Sequence, residues 1–248
     1  MITQIDSKTL HRLLNEARDI FSLKLAALAK AYEGYEFCKF YGAKDILIGK
    51  YYEELIIRAK GGISDEAAEE LSLFLKVCGF KNALCSLETG KRLEALGWSN
   101  TSESEIFRFS SYLIPENEPV PLFSELMENP PLDEVFPIIK DGFPDVNYDD
   151  WYTDLNHRIR HDCAKVYLYG GATAAVMADI NGGAFISLVA AKKEERGKGE
   201  AKSLLRCLGL HFEKQGKEAS VLCRQELSPF YKKAGFYEVG RTVTVFNG

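Results

Sequence analysis

The first 114 residues contain no proline, and no CxxC pair occurs anywhere among the six cysteines. The cysteines, Cys38, Cys78, Cys85, Cys163, Cys207 and Cys223, are scattered among apolar neighbours. That pattern, with no basic, apolar leader at the N-terminus, reads as reduced thiols in a cytoplasmic protein rather than a disulfide framework. With only four histidines and none beside a cysteine pair, no metal site is expected. No stretch approaches the 18 or so apolar residues of a membrane span, so no membrane association is expected. Long runs of Lys or Arg are also missing, and the net charge is −5, which argues against a nucleic-acid partner. Hydrophobic residues make up 46% of the chain, enough for a substantial core.

Seven of the eight prolines fall between Pro115 and Pro144. The run Pro115-Glu-Asn-Glu-Pro119-Val-Pro121 continues neither a helix nor a central strand, because each proline removes a backbone donor. It divides the chain into an N-terminal domain 1–114, a proline-rich linker 115–131 and a C-terminal domain 132–248.

In the first part Leu10, Leu13, Leu14, Ala17, Ile20, Phe21 and Leu25 recur at helical spacing and predict one helical stretch. Strands are predicted over 45–52 and 54–60. A helix follows, with Ser64 as its N-cap, Asp65 and Glu66 in its first turn and Gly79 at its end. A strand at 83–86, a short helix before Gly97-Trp98 and a strand over 105–113 follow. The second part predicts helices at 132–139 and 150–161. Strands at 164–169 and 173–180 are joined by Gly170-Gly171, and a third strand, 184–191, follows Asn181-Gly182-Gly183. A helix from Gly199 to about Gln215, a strand at 219–223, a short helix at 229–234 and a final strand at 237–246 complete an α/β (α+β) layout. It has antiparallel strands first, then one strand–helix–strand crossover.

Chemistry concentrates between Ile186 and Ala201. An apolar strand runs into Arg196-Gly197-Lys198-Gly199, which opens a helix. The N–H groups of a helix N-terminus lack internal partners and carry partial positive charge. Gly197 and Gly199 allow the backbone close to an anion, Arg196 and Lys198 add charge, and Ala201 is small. A basic surface turn shows the same four residues, so the segment alone leaves both readings open. The Walker loop and the dinucleotide fingerprint are both missing.

Arg196-x-x-Gly199-x-Ala201 resembles the acyl-CoA motif of the GNAT acyltransferase superfamily. Val189-Ala190-Ala191 stands where that family's preceding strand ends. Phe230-Tyr231-Lys-Lys-Ala-Gly235-Phe236 resembles its Tyr-x-x-x-Gly-Phe segment, with a helix and a strand of the expected lengths between. The resemblance covers roughly 130–246. Lys193 replaces a frequent proline, and Arg224 a frequent asparagine. It implies a mixed sheet flanked by helices and an N-acetyltransferase that moves an acetyl group from acetyl-CoA to an amine in a ternary complex. Val189, Ala190 and Ala191 would face the pantetheine, and the backbone of Arg196, Gly197, Lys198, Gly199, Glu200 and Ala201 the diphosphate. Tyr231 would be the acid for the departing thiolate; the other reading of Tyr231 is an aromatic packing a short helix.

Candidates for the base or the acceptor side are Asp154, His157, His161, Asp179 and Ser187. The same helix, 150–161, also reads as a solvated, ion-paired helix. The acceptor is a small-molecule or protein amine, and the assembly a monomer or homodimer. The alternative is a non-catalytic acyl-CoA-binding or interaction protein of the same fold.

An offset of 138 residues overlays Leu84-Cys85 on Leu222-Cys223, Glu88 on Glu226 and Gly97-Trp98 on Gly235-Phe236. It also sets Leu93 on Tyr231, and Arg58, Lys60 and Gly61 on Arg196, Lys198 and Gly199. Arg58 lies inside a predicted strand, however, and no separate loop precedes the 65–78 helix. The first part therefore reads as a smaller, truncated GNAT-like domain without the diphosphate loop. Any small α/β domain with this element order is the other reading.

Overall fold

The computed structural model describes residues 1–15, 18–101, 103–180 and 182–246. Contacts divide the chain into two compact units, Met1–Ile106 with Gly240–Gly248, and Phe107–Val239. These bounds differ from 1–114, 115–131 and 132–248: the last strand crosses between units, and 115–131 lies wholly inside the second.

The first unit opens with β1 (Thr3–Ile5), α1 (Ser7–Leu14) and α2 (Ile20–Tyr32). The single helical stretch expected here is two helices. Asp19 interrupts it, because its carboxylate accepts from Ser22 N at 3.0 Å and its extended backbone (ψ 157°) starts a new helix. Ala17 lies outside the described residues, as does Asn181 further on. Strands β2 (Cys38–Gly42), β3 (Ile46–Tyr51) and β4 (Glu54–Ala59) form an antiparallel meander, with β1 beside β2. Helix α3 (Asp65–Cys78) then crosses over to β5 (Asn82–Ser86), which pairs parallel to β4. Ser64 caps α3 through Oγ, and Gly79 ends it with φ +60°. α4 (Leu87–Ala95) and the two-residue β6 (Ser99–Asn100) follow. Thr242–Val245 of the last strand lie antiparallel to β5, so its Val243 and Val245 are buried with Leu71, Leu75, Cys85, Leu93 and Trp98.

β7 (Ser104–Phe109) runs from one unit into the other and stops short of the 105–113 strand expected, since Ser111–Leu113 tightens into a 3-10 turn. The second unit continues with β8 (Met127–Glu128), α5 (Leu132–Gly142), α6 (Tyr148–Arg160), β9 (Lys165–Tyr169), β10 (Ala172–Ile180) and β11 (Gly183–Ala191). α7 (Glu200–Lys214), β12 (Glu218–Arg224), α8 (Ser228–Lys233) and β13 (Phe236–Phe246) complete the chain. The sheet order in this unit is β8-β9-β10-β11-β12. Pairs are antiparallel up to β11, and β11 and β12 are parallel across the α7 crossover.

Alternation along β10 sets the two layers. Ala174 and Val176 share a core with Leu204, Leu205, Leu208 and Phe212 of α7. Ala175 turns to Val135, Ile138 and Ile139 of α5 and Trp151 and Leu155 of α6.

The segment 115–131, expected as a linker, is docked instead. Glu118 reaches Lys202 and Arg206 of α7, Phe123 stacks on His211 with ring centroids 3.6 Å apart, and Asn129 Oδ1 accepts from Val166 N at 3.0 Å. The prolines limit its regular structure to a 3-10 turn at Phe123–Glu125 and the two-residue β8, but polar and aromatic side chains between them supply the anchors. Among the described residues, no helix is long and apolar enough to cross a membrane.

Candidate active site

β11 and β12 stay in register only from Gly183↔Glu218 to Ile186↔Val221. Beyond Ile186 the two strands carry no further parallel pairing, so Ser187–Ala191 keeps an open backbone edge on that side. The cause is local. Thr173 opposes Ala190 and Ala175 opposes Ser187, so β11 uses one residue more than β10 between those pairs. The bulge sits at Leu188, whose φ is +50°. An L residue enters this region at a cost, and a β-branched residue such as its neighbour Val189 would do so at a larger one. The extra residue re-aims the strand end: Leu188 and Ala190 pack toward α5 and α6, whereas Val189 and Ala191 pack toward the α7 core.

The strand then meets the loop. Lys193–Glu195 forms a 3-10 turn, Gly197 has φ +86°, and Gly199 has φ +87° as the N-cap of α7. A Cβ at either glycine would meet no atom within 4 Å, so backbone conformation, not crowding, requires glycine here. Gly199 offers no side chain to cap the helix, and the first intrahelical bond is Ser203 N to Gly199 O at 2.9 Å. The N–H groups of Glu200, Ala201 and Lys202 therefore open the helix without intrahelical acceptors. Open strand edge, uncapped helix start and two left-handed glycines lie in one continuous segment. That set suits an extended ligand with amides at one end and phosphates at the other.

Side chains around the loop mostly hold it in shape. Arg196 donates from Nη2 to Asp141 O at 2.6 Å and from Nε to Ala191 O at 3.3 Å. Asp141 Oδ2 also accepts from Lys193 N at 2.9 Å, and Lys192 N donates to Gly171 O at 2.9 Å. Lys198 is ion-paired with Glu195, which raises its pKa. The Glu200 carboxylate accepts from Gly171 N at 2.8 Å and lies against the β9–β10 turn. Asp141 had no signal in the sequence, being one acidic residue near the end of an amphipathic helix.

Tyr231 is buried in α8, ringed by Phe107, Phe230 and Phe236. Burial, and then the neighbouring Cys223, push its phenol well above the ordinary value. It stays protonated at neutral pH, as a proton donor must.

The candidates for the base do not converge. Asp154 is ion-paired with the buried Arg158 of its own helix at 2.8 Å. His157 and His161 lie with ring centroids 4.3 Å apart at the end of α6. Asp179 pairs with Lys217, just past the C-terminal end of α7, and its strand position opposes Ala184 near the start of β11. It therefore sits at the opposite end of both elements from the Arg196–Ala201 loop. Ser187 is the first residue of β11 beyond the parallel pairing and stands at the mouth of the gap. Among the described residues, no group of three or more His, Cys, Asp and Glu side chains is arranged to hold a metal ion.

Comparison with known proteins bears on this arrangement. Residues 145–248 match the family model for the acetyltransferase (GNAT) domain. A comparison with curated protein sequences gives no match. Among solved structures, a GCN5-related N-acetyltransferase from Kribbella flavida is 14% identical, with 92% of this chain and 94% of that one covered at a TM-score of 0.61. A GCN5-related N-acetyltransferase from Sphaerobacter thermophilus is also 14% identical, covering 100% and 95% at 0.60. A tandem GNAT protein from the clavulanic acid biosynthesis pathway is 8% identical, covering 100% and 98% at 0.60. The whole chain thus shares the fold of these GNAT structures, and residues 145–248 are similar to the acetyltransferase (GNAT) domain.

Proposed function

We propose that residues 132–248 catalyse transfer of an acetyl group from acetyl-CoA to an amine. The observation that carries this reading is the departure of β11 from β12 after Ile186, directly followed by the uncapped start of α7. The edge at Val189, Ala190 and Ala191 would pair with the pantetheine amides. The backbone of Arg196, Gly197, Lys198, Gly199, Glu200 and Ala201 would hold the diphosphate.

In the reaction the neutral amine attacks the thioester carbonyl carbon, and the carbon–sulfur bond breaks. The departing thiolate takes the Tyr231 proton, and the phenolate is reprotonated from solvent. The proton lost by the amine leaves through Ser187 or α6, where His157 and His161 stand, with water between. Burial around Tyr231 raises the cost of an unprotonated thiolate as well, so delivering a proton as the bond breaks offsets that cost.

We read the first unit as a degenerate copy of the second. Both run three antiparallel strands, a crossover helix, a parallel strand, a short helix and a glycine before a buried aromatic. Gly97 and Gly235 both have φ +93°. In the copy the loop is lost: Arg58 lies within β4, paired with Asp19 at 2.8 Å, Ser64 caps α3, and Leu93 stands in place of Tyr231. Only the second unit would bind acyl-CoA.

Calorimetry with acetyl-CoA, paired with thiol release over a panel of small amines and peptide amines, tests the proposal. Saturable binding with turnover on at least one amine is expected. Binding without turnover on any amine would favour the non-catalytic acyl-CoA-binding reading, and no binding would remove both.

A further inference from the structure

We infer that Glu118 and Arg206 form a positioning pair for Tyr231, setting where its phenol lies relative to the diphosphate loop; this rests on Tyr231 being the acid. α8 spans only Ser228–Lys233, too short to hold its own shape, so its place rests on the packing of its aromatic side chains and on what grips its two ends. At the start, Ser228 Oγ donates to Gln225 O at 2.7 Å. At the end, Arg206 Nη2 donates to Lys233 O at 2.6 Å, a cation on the carbonyl end of the helix. Tyr231 lies between these grips, within a turn of Lys233, and its own carbonyl accepts from Ala234 N at 3.0 Å.

Arg206 comes from α7, the helix whose first turn opens the diphosphate loop. Its side chain is 3% exposed, so its direction is fixed by its partners rather than by solvent. One partner is Lys233 O. The other is Glu118, whose Oε2 pairs with Arg206 Nη1 and also accepts from Lys202 Nζ at 2.8 Å. Lys202 and Arg206 are one helical turn apart, so one carboxylate grips α7 at two adjacent levels. The two cations hold that carboxylate well below its ordinary pKa, and it stays charged through the neutral range. The connection runs unbroken from the first turn of α7, through Glu118 and the Arg206 guanidinium, to the end of the turn that carries Tyr231. Glu118 comes from the proline-rich segment, which gives that segment a purpose beyond joining two parts of the chain.

The test is a double-mutant cycle on the full-length protein. Glu118→Gln and Arg206→Lys are each made alone and in a Tyr231→Phe background. With Tyr231 present, each is expected to lower kcat by about tenfold or more, since small misplacement of a catalytic group is costly. Calorimetric Kd for acetyl-CoA should stay within about threefold, because the loop donors are backbone groups. In the Tyr231→Phe background neither should cause further loss, because the group they position is gone. Multiplying losses, or no loss with Tyr231 present, would overturn the positioning role and leave the acid assignment standing. Full activity of Tyr231→Phe alone would instead remove the acid, and the positioning role with it. A readout independent of turnover is the 19F resonance of 3-fluorotyrosine at position 231. It should shift in Glu118→Gln, the milder variant at the more exposed partner, and an unchanged resonance would also overturn the proposal.

Discussion

The guanidinium of Arg196 donates to the backbone carbonyl of Asp141 at 2.6 Å, turning the most basic side chain of the loop back onto the end of α5. Under the proposed function, charge at this position would shape the loop rather than contact a phosphate. Arg196→Met should weaken acetyl-CoA binding about tenfold, the loss of a charge-assisted hydrogen bond that organises the site. The dependence of Kd on salt should match that of the unaltered protein, because no phosphate contact is removed. Calorimetry at two ionic strengths decides this: a clearly flatter salt dependence in the variant would show direct pairing with phosphate.

Gly199 adopts φ +87° with open space where a side chain would go. Alanine there carries a backbone penalty of about 1–2 kcal/mol and no clash. Gly199→Ala should lower Tm by roughly 2–8 °C if the loop keeps its shape. If the loop relaxes instead, Tm should hold and acetyl-CoA affinity should fall. Neither effect would mean that the conformation has no role.

Much of the backbone geometry of this segment could be read from the sequence, for physical reasons. Glycine before a helix has few uses other than left-handed backbone, and a nine-residue apolar strand next to it, Gly183–Ala191, is hard to place anywhere but mid-sheet. Ser64 and Gly79 marked both ends of α3 because caps are local chemistry. The bulge at Leu188 was invisible, since leucine carries no bias toward positive φ and the extra residue shows only against β10. Glu118 gives no such signal, because a carboxylate between prolines looks solvated until α7 brings Lys202 and Arg206 to it. Asp179 illustrates the reverse: its residue type suited a base, but the strand places it at the far end of the sheet beside Lys217.

Asp19 caps α2 and accepts from Arg58 Nε at 2.8 Å. Burial alone would raise its pKa, but the bonds from Ser22 and Arg58 outweigh it, and the folded value is lowered. A lowered carboxylate adds stability above its unfolded value of about 3.9, and that contribution fades as pH falls through the lower folded value. Asp19→Asn should be less stable than the parent at pH 6. The two should converge in acid as the parent's Asp19 is protonated. Denaturant midpoints measured from pH 6 down to pH 2.5 check this, and a constant gap across the range would rule the linkage out.

None of the six cysteines forms a disulfide among the described residues; five are buried, and Cys78 is partly exposed. Burial pushes the Cys85 thiol up to about 12 and Cys207 up to about 11, first of all by desolvation. Iodoacetamide reacts with thiolates, so at pH 8 the folded protein should label slowly and first at Cys78. Peptide mapping after timed quenching identifies the order. Early labelling at Cys85 or Cys207 would show that those cores open readily.

The last strand, Phe236–Phe246, begins in one unit and ends in the other, and Val243 and Val245 fill the core of the unit that holds the N-terminus. A ribosome making this chain therefore releases residues 1–106 without part of their own interior until Val243 and Val245 emerge. The unit made first is completed after the second. Cutting the gene within the proline-rich segment after Glu118 would separate β5 from β13, though not from β4, and Lys202 and Arg206 from Glu118, so neither fragment would carry a whole core and a whole site.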